Sequence, residues 1–162
     1  MALSGFLTLT GTRQGAIQGS VTQKGREGSI EIISFLHEIV APRDPVTGRP
    51  KGKRMHKRFR VTKQVDRSSP LLYYVLTNNE NLTDVTLRLF RPAQNGIERH
   101  AFTVRLLNAT IASIQFRMLN TQHPRHSKLP ELEEVAFTYQ RIEWTWMEGN
   151  VSADDDWEIA RV

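Results

Sequence analysis

The sequence predicts a mainly β protein with one short α-helix. Apolar and polar residues alternate with period two along most of the chain, which is typical of half-buried strands. Glycines and other turn residues separate these alternating segments. Only one segment has helical spacing instead. At 162 residues with 39% hydrophobic and 24% charged residues, the chain is long enough for one globular domain.

Alternation predicts strands around residues 7–9, 30–35, 59–62, 85–89, 102–106, 114–118, 135–140 and 142–146. The segment 30–35 is apolar on both of its faces, so we expect both faces to be covered. The last two segments have different phases, which predicts a β-bulge near Arg141.

A helix over 69–79 is predicted by its start signal and its apolar spacing. Ser69 is the expected N-cap and Pro70 the first helical residue. Leu71, Leu72, Val75 and Leu76 form one apolar stripe. A helix this short is not stable alone in water, so we expect its stripe to pack against a sheet.

Charge is unevenly distributed in this basic chain, whose formal net charge is +5 and whose sequence pI is about 9.9. Residues 43–63 contain nine Lys or Arg and one acid, Asp44. Residues 41–58 hold three prolines and two glycines without any apolar period, which predicts an extended exposed loop. Residues 1–147 form the expected domain, and 148–162 an acidic, loosely held C-terminal tail. This polarity suits head-to-tail association between copies at least as well as it suits a polyanion.

No catalytic constellation, metal site or cofactor site is expected. The absence of cysteine excludes disulfides, thiol catalysis and thiolate ligands. His37-Glu38 lacks the second histidine of a zinc-protease motif, and residues 48–54 lack the spacing and hydroxyl residue of a phosphate loop. His123 and His126 have no nearby acid before Glu131, which favours an ordinary polar loop over a metal site. We therefore expect a protein that is not an enzyme.

The alternative from another functional class is a small basic β-barrel module that binds nucleic acid. Such proteins combine a basic groove with aromatic side chains on which bases stack. Here the cations lie in a Pro/Gly loop, whereas the aromatic residues fall mostly at core-phase positions. Core packing is therefore the favoured role of the aromatic residues, and the alternative is the weaker interpretation.

Three blocks of the sequence resemble one known family. The first is REGSIEI at 26–32, and the third is YQRIEWTW at 139–146 followed by Asp156-Trp157. The second and most specific comprises PRD at 42–44, Gly48, GKR at 52–54, HK at 56–57, FRVTK at 59–63 and DRSSPLLY at 66–73. The blocks span almost the whole chain and resemble the Hcp (haemolysin-coregulated) proteins, the inner-tube proteins of bacterial type VI secretion systems.

The resemblance implies two antiparallel sheets that form a barrel-like sandwich with one flanking helix. It implies a homohexameric ring, and rings that stack head to tail into a tube. The implied partners are a trimeric spike protein, the contractile sheath, baseplate components and effector proteins carried or chaperoned in the pore. Since residues 1–6 do not resemble a secretory signal, we expect bacterial cytoplasmic synthesis and then secretion outside the cell or into target cells without a cleaved signal peptide. No apolar run is long enough to suggest membrane insertion.

The resemblance also assigns expected roles to particular residues. The exposed loop resembles the family's extended loop, which contacts the neighbouring ring, and its charged residues are the expected ring-stacking set: Arg43, Asp44, Arg49, Lys51, Lys53, Arg54, Lys57 and Arg58. The opposite charge of the tail, and not the resemblance, suggests an acidic partner set between subunits: Asp154, Asp155, Asp156 and Glu158. The equally open alternative is that both segments are only solvated. Relatives have an Asp-Pro pair in the loop after the Phe116 strand, whereas His123-Pro124 stands here. This difference predicts a more basic pore, with Gln122, His123 and Arg125 facing it.

Overall fold

A computed structural model describes residues 3–159. It is mainly β, with 52% of residues in strands. In chain order the elements are β1 (Ser4–Gly11), β2 (Gly15–Ile17), β3 (Ile30–Ile32), β4 (Ser34–Leu36), β5 (Ile39–Val40), β6 (Met55–His56), β7 (Phe59–Gln64), α1 (Ser69–Thr77), β8 (Leu82–Pro92), β9 (Glu98–Arg117), β10 (Leu132–Trp146) and β11 (Val151–Asp156). No helix among these residues is long and apolar enough to cross a membrane.

One large antiparallel sheet dominates the structure. Its strands run in the order β2-β1-β8-β9-β10-β7-β4, with β3 paired to β1 and β11 paired to β10. Because β3 and β4 are separated only by Ile33, the segment 30–36 joins the two sides of this order. β3 pairs with β1, β4 pairs with β7, and the Ile33 amide donates to the Thr62 carbonyl at 2.8 Å. This segment closes the sheet into a barrel.

The expected fold class is confirmed: a large antiparallel sheet, a second small sheet and one helix. The second sheet is the two-stranded ladder of β5 and β6. The core fills the barrel with the inward-facing residues of the long strands, including Val61, Leu87, Leu106, Phe137 and Ile142, each at most 1% exposed.

The helix lies near its predicted position but begins differently. Its N-cap is Ser68, whereas Ser69 was expected there, and Pro70 lies in the first turn. Ser69 does not cap the helix, because its buried hydroxyl bonds to the ion pair of Lys63 and Glu133 instead. The helix ends at Thr77, and Leu72 and Val75 are its fully buried apolar residues, while Leu71 is partly exposed.

The phase change within β10 is present, but the bulge is not at Arg141. Val135, Phe137 and Tyr139 are buried, and the buried position then moves to Ile142. The pairing with β9 is irregular between Ala136 and Phe137. Next to Arg141 the register does not shift, but the ladder omits the pair of Gln140 with Asn108, and Asn108 has a φ of 50°, so the backbone is also irregular where the buried face changes.

Two further expectations were wrong. Residues 151–156 of the tail form β11, which pairs with β10 from Arg141↔Asp156 to Trp146↔Val151, so this part is not loosely held. The segment 30–35 is not covered on both faces either. Ile30 and Ile32 are buried, whereas Ile33 is 53% and Phe35 42% exposed. Arg161, also part of the tail, lies outside the described residues.

Candidate functional site: the basic hairpin and its anchor

The expected exposed loop is an ordered hairpin, which we call the basic hairpin (residues 39–56). Its base is the ladder Ile39↔His56 and Val40↔Met55, and an isolated bridge joins Arg43 to Pro50. The Lys51 amide donates to the Pro42 carbonyl at 2.8 Å. These cross-links hold the segment as one projecting unit although its side chains are mostly exposed.

Asp44 shapes the turn of the hairpin. Its carboxylate accepts hydrogen bonds from the amides of Val46 and Thr47, each at 2.8 Å. These backbone bonds lower the pKa of Asp44, because they favour its charged form. Gly48 follows with a φ of 70°, a conformation for which glycine carries no steric cost. Of the expected stacking residues, Asp44 therefore acts within the turn.

Cationic side chains cover the outer part of the hairpin. Arg43, Arg49, Lys51 and Lys53 are exposed. No ion pair within residues 3–159 involves any of these four. Two further expected residues flank the base: Arg58 is exposed, and Lys57 contacts Glu38 at 3.2 Å. The hairpin tip thus presents net positive charge to solvent.

Arg54 is the exception among the expected stacking cations, because it anchors the hairpin to β11. Its Nε and Nη2 donate to the two Asp155 carboxylate oxygens at 2.5 and 2.9 Å. Nη2 also donates to the carbonyls of Asp156 and Ile159 at 2.8 and 2.9 Å. This bidentate contact lowers the pKa of Asp155 and raises that of Arg54.

A chain of side-chain hydrogen bonds continues inward from this anchor. His56 Nε2 lies 2.7 Å from Asp155 Oδ2, and His56 Nδ1 lies 2.7 Å from the Tyr139 hydroxyl. The same hydroxyl lies 2.7 Å from His37 Nε2. Burial raises the pKa of Tyr139, and burial together with the nearby His56 lowers that of His37. We call the set Arg54, Asp155, His56, Tyr139 and His37 the anchor chain.

The other acids of the expected inter-subunit set also have contacts within the chain. Asp154 accepts from Arg141 Nε at 3.1 Å on the sheet surface. The Asp156 side chain accepts from Gln140 and from the Glu158 amide at 3.2 and 3.0 Å. Asp154 and Glu158 are exposed, so their carboxylates are reachable from outside.

The expected pore-facing residues lie in the exposed connection between β9 and β10. The Gln122 amide donates to Asn120 Oδ1, and the Arg125 amide donates to His123 Nδ1. All three side chains of Gln122, His123 and Arg125 are exposed. His126 stacks at a tilt on His123 with ring centres 5.0 Å apart. Within residues 3–159 no group of three His, Cys, Asp or Glu side chains could hold a metal ion.

A separate apolar surface lies at the terminal strand of the sheet, which we call the open edge (residues 33–36). Leu36 is 68% exposed, and Phe35 stacks on the buried Phe59 with ring centres 5.8 Å apart. Thr62 and the ion pair of Arg60 with Glu134 border the same groove. Apolar side chains on an unpaired strand edge are a surface that proteins normally cover.

Sequence reasoning found the hairpin cations and the acidic tail but missed that Arg54 and Asp155 bind each other. The two residues are 101 positions apart, and alternation carries no information about such a pairing. The opposite charges of the two segments were the available signal. Tyr139 and the two histidines lie on separate segments that no sequence pattern joins, so the anchor chain was also missed.

Comparison with known proteins identifies the family. The family model described as "Type VI secretion system effector, Hcp" matches residues 6–146. A curated relative, the "Major exported protein" of Pseudomonas aeruginosa strain PAO1, is 38% identical over 166 aligned positions. That alignment covers 97% of this chain and 96% of the relative.

Solved structures agree with the sequence comparison. A crystal structure of an Hcp protein has a TM-score of 0.91 at 32% identity, covering 98% of this chain and 100% of its own. The Hcp1 protein of Escherichia coli pathovar EAEC 042 has a TM-score of 0.85 at 32% identity, with 96% and 99% covered. The Hcp3 secreted protein of Pseudomonas aeruginosa has a TM-score of 0.78 at 32% identity, with 96% and 99% covered.

The barrel with its projecting hairpin is therefore the fold of a secreted protein class of type VI secretion. Within that class, this chain belongs to the Hcp family.

Proposed function

We propose that this chain is a structural subunit, not an enzyme, of the inner tube of a type VI secretion system. It forms hexameric rings that stack head to tail and are expelled together with effectors. The observation that carries the proposal is the pair of unsatisfied surfaces on one Hcp-family subunit: an apolar open edge and a cationic hairpin. A subunit with two different uncovered surfaces can contact one neighbour within a ring and another in the next ring.

Ring closure is assigned to the open edge. β4 ends the strand order of the sheet, so its outer backbone groups face away from the sheet. The exposed Ile33, Phe35 and Leu36 lie beside them. A neighbouring subunit that covers this edge removes apolar surface from water at roughly 25 cal/mol per Å². A contact between two different surfaces of identical subunits closes into a ring when its rotation permits.

Stacking is assigned to the basic hairpin. Arg43, Arg49, Lys51 and Lys53 present charge beyond the body of the barrel, and the anchor at Arg54 fixes the base from which they project. Lys57 and Arg58 extend this surface at the base, and Asp44 maintains the turn. Exposed charges steer association and set register more than they add affinity.

The acidic contribution to contacts between subunits is narrower than the sequence indicated. Asp155 binds Arg54 and His56 of its own chain, and Asp156 binds Gln140. We assign the contact between subunits to the exposed Asp154 and Glu158. Asp155 and Asp156 then support that surface from within.

The remaining partners follow from the family. The tube would meet a trimeric spike, a contractile sheath, baseplate components and effector proteins, and would carry or chaperone effectors in its pore. Gln122, His123 and Arg125 are proposed to face that pore. Synthesis in the bacterial cytoplasm followed by export completes the proposal, in line with the name of the curated relative, "Major exported protein".

The ring is tested by native mass. Light scattering on a sizing column at high salt should give a species of about 112 kDa, since six chains of 18.6 kDa form a closed ring. Leu36→Asp should convert this species to monomer, because it places a charge in the apolar contact. Ile97→Asp is the matched control, since Ile97 is 66% exposed on the β8–β9 turn, and it should retain the ring. A wild-type monomer at every salt concentration contradicts ring formation.

Stacking is tested by charge reversal at the hairpin. Wild-type rings should form larger species at low salt and separate at high salt, since exposed charges are screened over about 10 Å at 0.1 M. Arg49→Glu with Lys51→Glu should abolish the larger species and leave rings intact. Lys24→Glu with Lys128→Glu changes net charge equally at two exposed positions outside the hairpin and should still stack. Equal loss in both variants would mean that net charge, not the hairpin, controls association.

A further inference from the structure

The anchor chain joins both legs of the basic hairpin to the barrel through one hydroxyl. His37 precedes β5, which is the first leg, and His56 lies in β6, which is the second. Both imidazoles lie 2.7 Å from the Tyr139 hydroxyl on β10. The Tyr139 ring also packs against both imidazole rings, with ring centres 5.7 and 5.5 Å away. A change in either of these two hydrogen bonds therefore alters how the base of the hairpin is held to the barrel.

The direction of each hydrogen bond follows from the carboxylate at one end. Asp155 is ionised and can only accept, so His56 Nε2 carries a proton and donates to it. In neutral His56 the Nδ1 atom then has no proton and accepts from the Tyr139 hydroxyl. The Tyr139 oxygen in turn accepts from His37 Nε2–H. With both histidines neutral, each group in the chain has a partner of the right kind.

The anchor chain can take up one added proton and keep all of its hydrogen bonds. If His56 becomes imidazolium, its Nδ1–H donates to the Tyr139 oxygen, and the Tyr139 O–H turns to donate to His37 Nε2. His37 then takes the tautomer with its proton on Nδ1. The added positive charge lies beside the Asp155 carboxylate, which it contacts directly.

A second added proton cannot be accommodated in the same way. Both histidines would then donate to one oxygen, and the Tyr139 O–H would have neither imidazole as acceptor. Two imidazolium groups would also face each other across one hydroxyl, with Arg54 at the far side of Asp155. Burial already disfavours a charge on His37.

The charged groups that residues 3–159 place around the site have partners of their own. His37 packs on the apolar Phe59 ring at 5.0 Å, and from β10 the site receives Tyr139. From β11 the carboxylate of Asp155 is shared between Arg54 and His56, and Asp156 accepts from Gln140. Glu38 and Lys57 flank the hairpin base as an exposed pair with each other.

We propose that the anchor chain is a protonation-sensitive latch that keeps the basic hairpin fixed while at least one of His37 and His56 is neutral. When both carry a proton, the bonds of the Tyr139 hydroxyl no longer hold both legs, and the base of the hairpin opens. Acidification below the ordinary imidazole range therefore mobilises the hairpin while the barrel stays folded. Because the hairpin is the proposed stacking element, opening weakens contacts between rings; this last step alone rests on the proposed function.

The latch is tested by hydrogen exchange of the wild-type protein, in parallel with histidine NMR, between pH 8 and pH 4.5. Exchange of amides at the hairpin base, such as that of Lys57, which donates to the Glu38 carbonyl, is referenced to amides of β8 and β9, which report the barrel. The hairpin should exchange faster relative to the barrel by about tenfold per pH unit between the ordinary pKa of an imidazole and the lowered pKa of His37. A hairpin-to-barrel exchange ratio that stays constant with pH overturns the latch.

His37→Phe separates the latch from general acid sensitivity. It keeps a ring against Phe59 but removes both the bond to Tyr139 and the second protonation site, so hairpin exchange relative to the barrel should no longer rise as the pH falls. His100→Phe is the matched control. His100 is another partly buried histidine, stacked on Phe90 away from the hairpin, and its removal should leave acid opening unchanged. The same acid opening in His37→Phe as in wild type overturns the latch.

The assembly state distinguishes failure of the latch from failure of the tube proposal. Light scattering at low salt should show stacks at pH 7.5 that separate into rings near pH 5, and in His37→Phe the distribution of stacks and rings should not change between these two pH values. If hairpin exchange responds as expected but stacking does not, the latch is supported and the assigned stacking role of the hairpin is contradicted. If stacking responds to pH equally in wild type and His37→Phe, the latch does not control assembly.

Discussion

The carboxylate of Asp155 receives Arg54 on one side and His56 on the other, so one acidic side chain on β11 holds two residues of the basic hairpin. The C-terminal strand and the hairpin are therefore mechanically connected within one subunit. Such charge-assisted, bidentate contacts are among the stronger hydrogen bonds in proteins. This connection makes the orientation of the exposed cations a property of the fold.

Replacing the planar donor of this contact should loosen the hairpin. Arg54→Lys keeps the charge but loses the forked geometry, so hairpin amide exchange should rise about tenfold at pH 7. Arg141→Lys is the control, because Arg141 contacts Asp154 as a half-exposed pair that contributes little. No change in exchange for Arg54→Lys would mean that backbone pairing alone holds the hairpin.

The class of the fold was predictable because alternation records which face of a strand is buried. Barrel closure was not predictable from alternation, since the register of residues 30–36 against β1 and β7 is not encoded in period two. The prediction that both faces of this segment are buried was wrong for a related reason. An apolar side chain indicates burial in sequence, but the outer face of Phe35 is apolar and no part of the described structure covers it.

The candidate site was predictable as far as charge reveals it. The hairpin cations were found because they cluster in sequence, but their partners were not, because contacts 101 residues apart depend on the folded topology. Lys63 was counted with the basic segment, yet it is fully buried. Period-two alternation places Lys63 on the same face of β7 as Phe59 and Val61, so its burial was predictable from the sequence.

Replacing only one member of the buried ion pair of Lys63 and Glu133 should strongly lower the stability of the fold. Lys63 Nζ contacts Glu133 Oε2 at 2.7 Å and Asp66 Oδ1 at 3.1 Å, and the Ser69 hydroxyl bonds to both members of the pair. Lys63→Met leaves a buried carboxylate unpaired, so we expect a loss of about 3–5 kcal/mol in the free energy of unfolding. Urea unfolding at one fixed chain concentration measures it, since assembly couples to stability.

The double variant Lys63→Met with Glu133→Leu is the control for that prediction. It removes both charges together, so most of the lost stability should return, because neither charge remains buried without its partner. A double variant as unstable as the sum of the two single variants would show that the pair does not act as a unit.

Glu80 should stabilise the turn after β1 in a pH-dependent way. It is 2% exposed and accepts from the amides of Arg13 and Gln14 and from the Gln14 side chain at 2.7, 2.9 and 2.9 Å. Burial raises its pKa, but these hydrogen bonds outweigh burial and lower it overall. A lowered pKa gives stability that is present above the ordinary value of 4.5 and is lost as the pH falls through the lowered pKa.

Glu80→Gln should therefore cost about 1–2 kcal/mol of unfolding free energy at pH 7, because its amide group opposes the Gln14 donor. The difference from wild type should shrink in acid, where the wild-type carboxyl group is also protonated. Urea unfolding at several pH values measures both effects, with the exposed Glu131→Gln as the control that changes little. In the same urea measurement Gly11→Ala should also destabilise, because a Cβ there would lie 3.0 Å from Glu80 Oε2 and the Glu80 carboxylate is held in place by the Arg13 and Gln14 amides.

The pore assignment can be tested because the chain contains no cysteine, so a single introduced thiol is labelled without background. In assembled rings Gln122→Cys should react quickly with a small maleimide and slowly with a maleimide on a polymer too large for the pore, because a pore-facing residue excludes the large reagent. The same cysteine in the Leu36→Asp background, where no ring is expected, should react with both reagents. Equal labelling by both reagents in the assembled ring would place the loop between β9 and β10 on the outer wall. In either case Arg125→Cys should be labelled in the same way as Gln122→Cys, since both residues lie exposed in the connection between β9 and β10.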